Sequence, residues 1–412
     1  MKVCQVCKQE KCDELINFGH HPVCHKFTNG TEEKEEKFSL ALGQCKNCGL
    51  VQLMSPISVN KLIPRYDWIA YNEPEEHLDF LAKNIIELPG INKSSVICGV
   101  SYKEDTILER LNRLGFENTW RMDMNHDLGI ANSKANLESI QQQIRPNIIN
   151  SIHKKHPLPD VIIVRHILEH THNTHEFMSA LKQLVKPSGY IIFEVPDCAK
   201  GFEILDYTTI WEEHSLYFTE ATFKMCMNVA GLKLHHFEKY NYTFENVLIG
   251  IVKIENINDI AKSLFLNGDV IASEKKRAHH FSKHLTLKEK SIKDFLSKFV
   301  KKGNNIVMFG TGHAACMFIN LFKIKDLIAF AIDDNQKKQG FYLPGSKLPI
   351  QSTQSFFSEN KNNDLCLLGL SSESEKKVIE QHQSFEKNGG VFASIYSGSK
   401  YAIEAFTEKR IR

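Results

Sequence analysis

The sequence predicts an α/β protein, a small zinc-binding head followed by two Rossmann-like doubly wound units, and three observations carry that reading. Two Cys-x2-Cys pairs, Cys4 with Cys7 and Cys45 with Cys48, stand at the front of the 412 residues. Between Ser94 and Val195 short apolar runs alternate with amphipathic stretches, and from Asn305 the alternation begins again. Apolar strands separated by helices form a parallel sheet with both faces covered.

The head comes first. Two such pairs in one short segment present four thiolates to one tetrahedral ion, the closed coordination of structural Zn2+. The 37 residues between Cys7 and Cys45 exceed the usual ribbon spacing, so this stretch, with its charged run 31–37, is expected to form a hairpin or lobe of its own. Cys12, His20, His21, Cys24 and His25 lie within it as substitute donors. A redox dithiol is the rival reading, but it needs a strand before the motif, and Cys4 stands almost at the first residue. Residues 1–70 form this domain.

An acidic, aromatic segment, 66–77, leads into a helical pattern through Leu78, Leu81, Ile85 and Ile86, with Pro74 suited to a helix start. The alternation then runs as a strand at 95–99, a helix at 105–114 and strands at 118–122 and 160–164. A helix through Phe177, Leu181 and Leu184 and a strand at 189–195 complete the domain 71–255. The polar, Lys-rich stretch 256–300 reads as a helical connector. The domain 301–412 opens with a strand and turn at 305–315 and continues with strands at 328–333 and 364–369.

A net charge of +2 on 24% charged residues is close to balance, and the basic runs at 154–155, 275–277 and 301–302 are short and scattered, which argues against a nucleic-acid partner. No apolar run reaches the ~18 residues of a membrane span, and the first residues lack a secretory pattern. Eleven cysteines without one point to a reducing cytoplasm, where thiols stay free or bind metal.

Ligands of an open parallel sheet bind beyond the carboxyl ends of its strands. Gly99 and Ser101 lie there, where a glycine lets a nucleotide approach the backbone. Asp123, one strand-helix-strand unit later, is either the acceptor for a ribose diol or a solvated turn residue. Gly310-x-Gly312-x-x-Ala315, with Asp333 ending the next strand, is the better dinucleotide fingerprint, unless its glycines serve only a tight turn. In Trp211-Glu212-Glu213-His214-Ser215-Leu216-Tyr217-Phe218 an imidazole stands beside a carboxylate, a pair able to move a proton near neutral pH. Arg165-His166-Ile167-Leu168-Glu169-His170 follows a strand, and in a helix His166 and His170 would share a face. His172 and His175 are expected to face solvent.

The double knuckle, Phe18-Gly19-His20-His21-Pro22, the motif Arg165 to His170, Glu213-His214, and Lys337-Lys338-Gln339-Gly340-Phe341-Tyr342-Leu343-Pro344-Gly345 together resemble the three-domain sugar C-methyltransferases, over nearly the whole chain. The last string is the most specific, because no general chemistry demands it. The resemblance implies a zinc-binding head, a central S-adenosylmethionine domain and a C-terminal Rossmann-like domain that helps hold a nucleotide-linked sugar, which makes the Gly310 turn a scaffold. It implies a 4-keto sugar on a nucleoside diphosphate, methylated at C3. His214 matches the base, Glu213 its partner, His170 a donor near the keto oxygen and Tyr66 an aromatic hydroxyl, with Gly99, Ser101, Asp123, Arg165 and His166 on the cofactor. A C–H bond beside a ketone is acidic enough for a protein base once the enolate oxygen has a donor.

The chain departs from the family pattern at the Glu-x-Gly-x-Gly loop, here Cys98-Gly99-Val100-Ser101, and at Tyr-x-Tyr, here Tyr66-Asp67-Trp68. A Gly-Gly-Ser loop is replaced by Tyr242-Thr243-Phe244-Glu245-Asn246, and a tyrosine by Trp211. These changes gather at the expected sugar pocket and imply a different acceptor. The rival readings are an NAD(P)-dependent oxidoreductase using Gly310, Gly312 and Asp333, and a silent sugar-nucleotide binding protein.

Overall fold

The computed structural model describes residues 3–9, 12–66, 68, 73–254, 267–359 and 364–408. The chain forms two compact units, one from Met1–Leu15, Leu42–Ala199 and Glu213–Lys276, the other from Ile16–Ala41, Lys200–Glu212 and Arg277–Arg412.

Between the cysteine knuckles run β1 (Cys12–Pro22) and β2 (Lys37–Cys45), neighbours in one sheet. In the first unit β3 (Val51–Leu53) pairs with β2, Leu42 opposite Leu53. The central sheet of this unit holds β4 (Ile97–Gly99), β5 (Thr119–Arg121), β6 (Val161–Arg165) and β7 (Tyr190–Asp197). After the short β8 (Leu216–Tyr217), which pairs with β3, come β9 (Lys233–Tyr240) and β10 (Asn246–Lys253). The order is β5-β4-β6-β7-β10-β9. The first four strands are parallel, and β10 runs antiparallel to both its neighbours.

Alternate side chains explain why β6 reads as an unbroken apolar run. Ile162 and Val164 enter one core and Val161 and Ile163 the other, as the two-residue period of a strand requires when both faces are covered. Residues 256–266 of the expected connector, with Asp67 and 69–72 of the aromatic segment, lie outside the described residues. The rest of the connector is one helix, Gly268–Val300.

The second unit is built on β11 (Ile306–Phe309), β12 (Phe330–Asp333), β13 (Ile350–Ser352), β14 (Leu365–Leu368) and β15 (Val391–Ser394). They lie in the order β13-β12-β11-β14-β15, every pair parallel. The string 337–345 owes its specificity to a local clamp. Tyr342 exchanges backbone hydrogen bonds with Thr28, at 2.9 and 3.2 Å, and the Gly345 N–H donates to Glu35 at 3.0 Å. Gly345 takes φ 73°, and a Cβ there would lie 2.3 Å from Asn320 Oδ1, so only glycine fits. Among the described residues no helix is long and apolar enough to cross a membrane.

Candidate active site

The zinc-binding head is closed and buried. Cys4, Cys7, Cys45 and Cys48 bring their sulfurs within 4.8 Å of one another, with Cys4 to Cys48 at 3.7 Å and Cys7 to Cys45 at 3.6 Å. The two knuckles repeat one turn. The residue after each second cysteine, Lys8 and Gly49, takes a positive φ and donates its N–H to the first cysteine's carbonyl. Four buried thiols at these spacings fit a structural Zn2+. None of the substitute donors joins this group of four, although Cys12 lies within hydrogen-bond reach of Cys4 and Cys45.

The carboxyl end of β6 turns abruptly. His166 adopts φ 48° and a 3-10 turn covers Leu168–His170, so the helical face expected to join His166 and His170 does not form. The two rings diverge instead. His166 Nε2 meets Glu194 at 2.9 Å, whereas His170 Nδ1 meets Glu138 at 2.5 Å.

Around Glu194 the protein has built a buried ionic cluster. Arg165 donates to it through Nε at 2.7 Å and Nη2 at 3.1 Å, and His77 Nε2 lies 3.3 Å away. Burial opposes the charge on Glu194, but Arg165, His166 and His77 hold its pKa well below the usual carboxylate range. Burial likewise opposes a charged His166, yet Glu169 and Glu194 outweigh it and raise the ring to about 10. All three guanidinium nitrogens of Arg165 take protein partners, the third being the Lys103 carbonyl.

The crevice beyond β4 is shaped by Glu104. Its carboxylate accepts from Ser101 N at 2.6 Å, Ser101 Oγ at 2.9 Å and Arg165 N at 2.6 Å. Burial pushes its pKa up to about 7 against the pull of those donors. A Cβ on Gly99 would come within 2.6 Å of Glu104 Cβ, so the glycine makes room for the chain's own helix start. Asp123 follows β5 and is exposed. Its Oδ1 accepts from Asn125 N and His126 N, which leaves Oδ2 for a ribose diol. Asp123 can thus hold the ribose of a nucleoside cofactor through Oδ2. Glu169 is buried, and its Oε1 faces His166 Nδ1 at 3.6 Å.

Beside this cluster, His170 and His214 stand edge to face with ring centroids 4.6 Å apart at 82°. His170 is 5% exposed and His214 half-buried. Burial works against a charged His170, but Glu138, with Glu169 and Glu213, raises its pKa above the ordinary value. Ligating atoms of Glu169, His170 and His214 fall within 4.8 Å of one another. Tyr66 is half-buried and stacks on Trp68, centroids 5.0 Å apart. His175, although exposed, bonds Val6 O at 2.6 Å, and His172 is half-buried, with its N–H on Gln141. Glu138, Glu104, Glu194 and His77 escaped the sequence reading.

In the second unit, the Gly310 turn is a scaffold. Gly310 takes φ 90°, and a Cβ there would lie 2.7 Å from Gly369 O. Asp333 Oδ2 accepts from Thr311 N at 3.0 Å and from Lys338 at 3.0 Å, and Oδ1 accepts from Asn335 N. Both oxygens that would serve a nicotinamide cofactor's ribose are therefore engaged by the protein.

Three family models match in succession: "Putative zinc binding domain" over residues 4–62, "Methyltransferase domain" over 65–237 and "C-methyltransferase C-terminal domain" over 265–395. The chain is 21% identical over 403 residues to the C-methyltransferase NovU of Streptomyces niveus, covering 94% of each protein. Among solved structures it is similar to a SAM dependent methyltransferase from Aquifex aeolicus, at 14% identity and TM-score 0.30, covering 49% of this chain and 99% of that one. It is also similar to the 1,6-didemethyltoxoflavin-N1-methyltransferase of Burkholderia thailandensis, at 8% identity and TM-score 0.26, covering 50% and 96%. Both scores are too low to bear on function.

Proposed function

The chain belongs to the three-domain S-adenosylmethionine-dependent C-methyltransferases, and on that premise we propose that it methylates a nucleotide-activated keto sugar at the carbon beside the ketone. When bound, the cofactor supplies an electrophilic methyl group. The chain's own residues hold and move the proton. His214, half-buried, takes the proton from carbon. His170, seated on Glu138 through Nδ1, offers Nε2–H to the ketone oxygen as negative charge gathers there. Two adjacent imidazoles cannot both be charged cheaply, so the carboxylate under His170 favours this division of roles. Glu213 steadies the pair, Tyr66 adds a hydroxyl, and Asp123 holds the ribose of the cofactor, with Gly99, Ser101, Arg165 and His166 shaping its crevice.

The observation that carries this reading is the edge-to-face histidine pair, one ring buried on a carboxylate and the other accessible. His214→Gln is expected to abolish methyl transfer to a panel of nucleoside diphosphate 4-keto sugars and to stop solvent deuterium entering beside the ketone. S-adenosylmethionine affinity, read by calorimetry, should change no more than a few-fold. Normal turnover in that variant would exclude His214 as the base.

A further inference from the structure

Outside the histidine pair, the second unit holds a buried donor set that methyl transfer does not use. Cys24, Glu212 and His313 are 2%, 2% and 4% exposed, and their ligating atoms lie within 4.8 Å of one another. They come from three distant parts of the chain, so no local turn accounts for their meeting.

The imidazole and the carboxylate are each held by neighbours, and the Cys24 thiol lies within hydrogen-bond reach of Glu212 and Cys316. His313 Nε2 lies 3.1 Å from the carbonyl of Ile210. A carbonyl only accepts, so Nε2 carries a hydrogen and Nδ1 is the ring nitrogen left facing Glu212. Trp211 stacks on the imidazole, centroids 3.7 Å apart and planes 15° from parallel, which fixes the ring's plane. The Cys24 N–H donates to Glu212 Oε1 at 2.6 Å, leaving Oε2 directed at His313 Nδ1, 3.5 Å away. Oε2 is buried and has no hydrogen-bond partner among the described residues. A buried carboxylate oxygen in that position calls for a proton or a cation beside it. Metal-bound histidines usually give their other N–H to a backbone carbonyl or carboxylate, and thiolate, imidazole and carboxylate together form a donor set of borderline softness.

We propose that Cys24, Glu212 and His313 bind a second divalent metal ion, Zn2+ by the chemistry of the donors, distinct from the ion of the four-cysteine head. Three protein ligands leave the fourth tetrahedral position to water or a small anion. The ion joins residues 24, 212 and 313 of the second unit, and Glu212 immediately precedes Glu213 and His214 in the chain. The competing account is a proton shared between His313 and Glu212, which needs no metal.

The full-length protein, loaded with Zn2+ and freed of excess by gel filtration, separates the two accounts by native mass spectrometry. Two zinc ions per wild-type chain, falling to one in Cys24→Ala and in His313→Ala, are expected. One ion in folded wild type, or a second ion retained in both variants, overturns the proposal. Should the variants not fold, Co2+ titration of the wild type decides. Two steps, the second adding only weak single-thiolate charge-transfer absorption, support the site, and saturation after one equivalent overturns it.

Discussion

Burial alone would discharge His170, and it is the carboxylate of Glu138 on Nδ1 that reverses the balance. The sign follows directly. A ring whose pKa is raised above 6.5 keeps its proton to higher pH than a free imidazole, and so remains a donor where the free ring would have lost it. Glu138→Gln removes the opposing charge, lets burial prevail and moves the loss of that proton to lower pH. The basic limb of the kcat profile should therefore shift acidward, and an unshifted limb would show that the proton on His170 is not used. Glu138 had no signature in the sequence, because it lies in the polar stretch Leu137–Gln143 and its partner is 32 residues away. Glu194 did have one. A carboxylate inside an otherwise apolar buried strand must meet cations, and the candidates Arg165 and His166 stood at the end of the neighbouring strand.

The parallel strands were legible because double-sided burial makes each a short, nearly continuous apolar run, as at Val161–Arg165 and Ile306–Phe309. β9 was not. It carries Lys233, His235, His236 and Lys239 at the sheet's edge, with exposed positions through its length, and only its pairing with β10 makes it a strand. The turn after β6 was left open by the sequence for a related reason. Spacing of four suggests a shared face only within a helix, and His166 leaves helical conformation at φ 48°. The start of the helix after β4 offers a test of what Gly99 is for. Gly99→Ala forces a Cβ to within 2.6 Å of Glu104 Cβ, so stability should fall by about 1–3 kcal/mol, the range of overpacked sites. A normal melting curve with weakened S-adenosylmethionine binding would show instead that the glycine serves the cofactor.

Across the whole molecule, the cysteine spacing made the head legible, whereas the interleaving of the two units was not visible in a linear order of domains. Stripping zinc should lower the melting temperature by calorimetry and restoring it should recover the original transition, since metal binding to a closed site is folding free energy. An unchanged transition after verified metal loss would contradict a structural role. The interleaving also bears on how the chain is made. Thr28 pairs with Tyr342, and Ile16–Ala41 belongs to a unit completed only by Arg277–Arg412. At ribosomal rates of roughly 5–20 residues per second, the early ribbon waits on the order of tens of seconds for its partner to emerge. During that interval Val23, Cys24 and Phe27, all buried in the finished unit, have nothing of that unit's sheet to cover them. A fragment beginning at Arg277 would carry the five parallel strands but not the ribbon that clasps 337–345, so the second unit cannot be cut from the chain as one continuous piece.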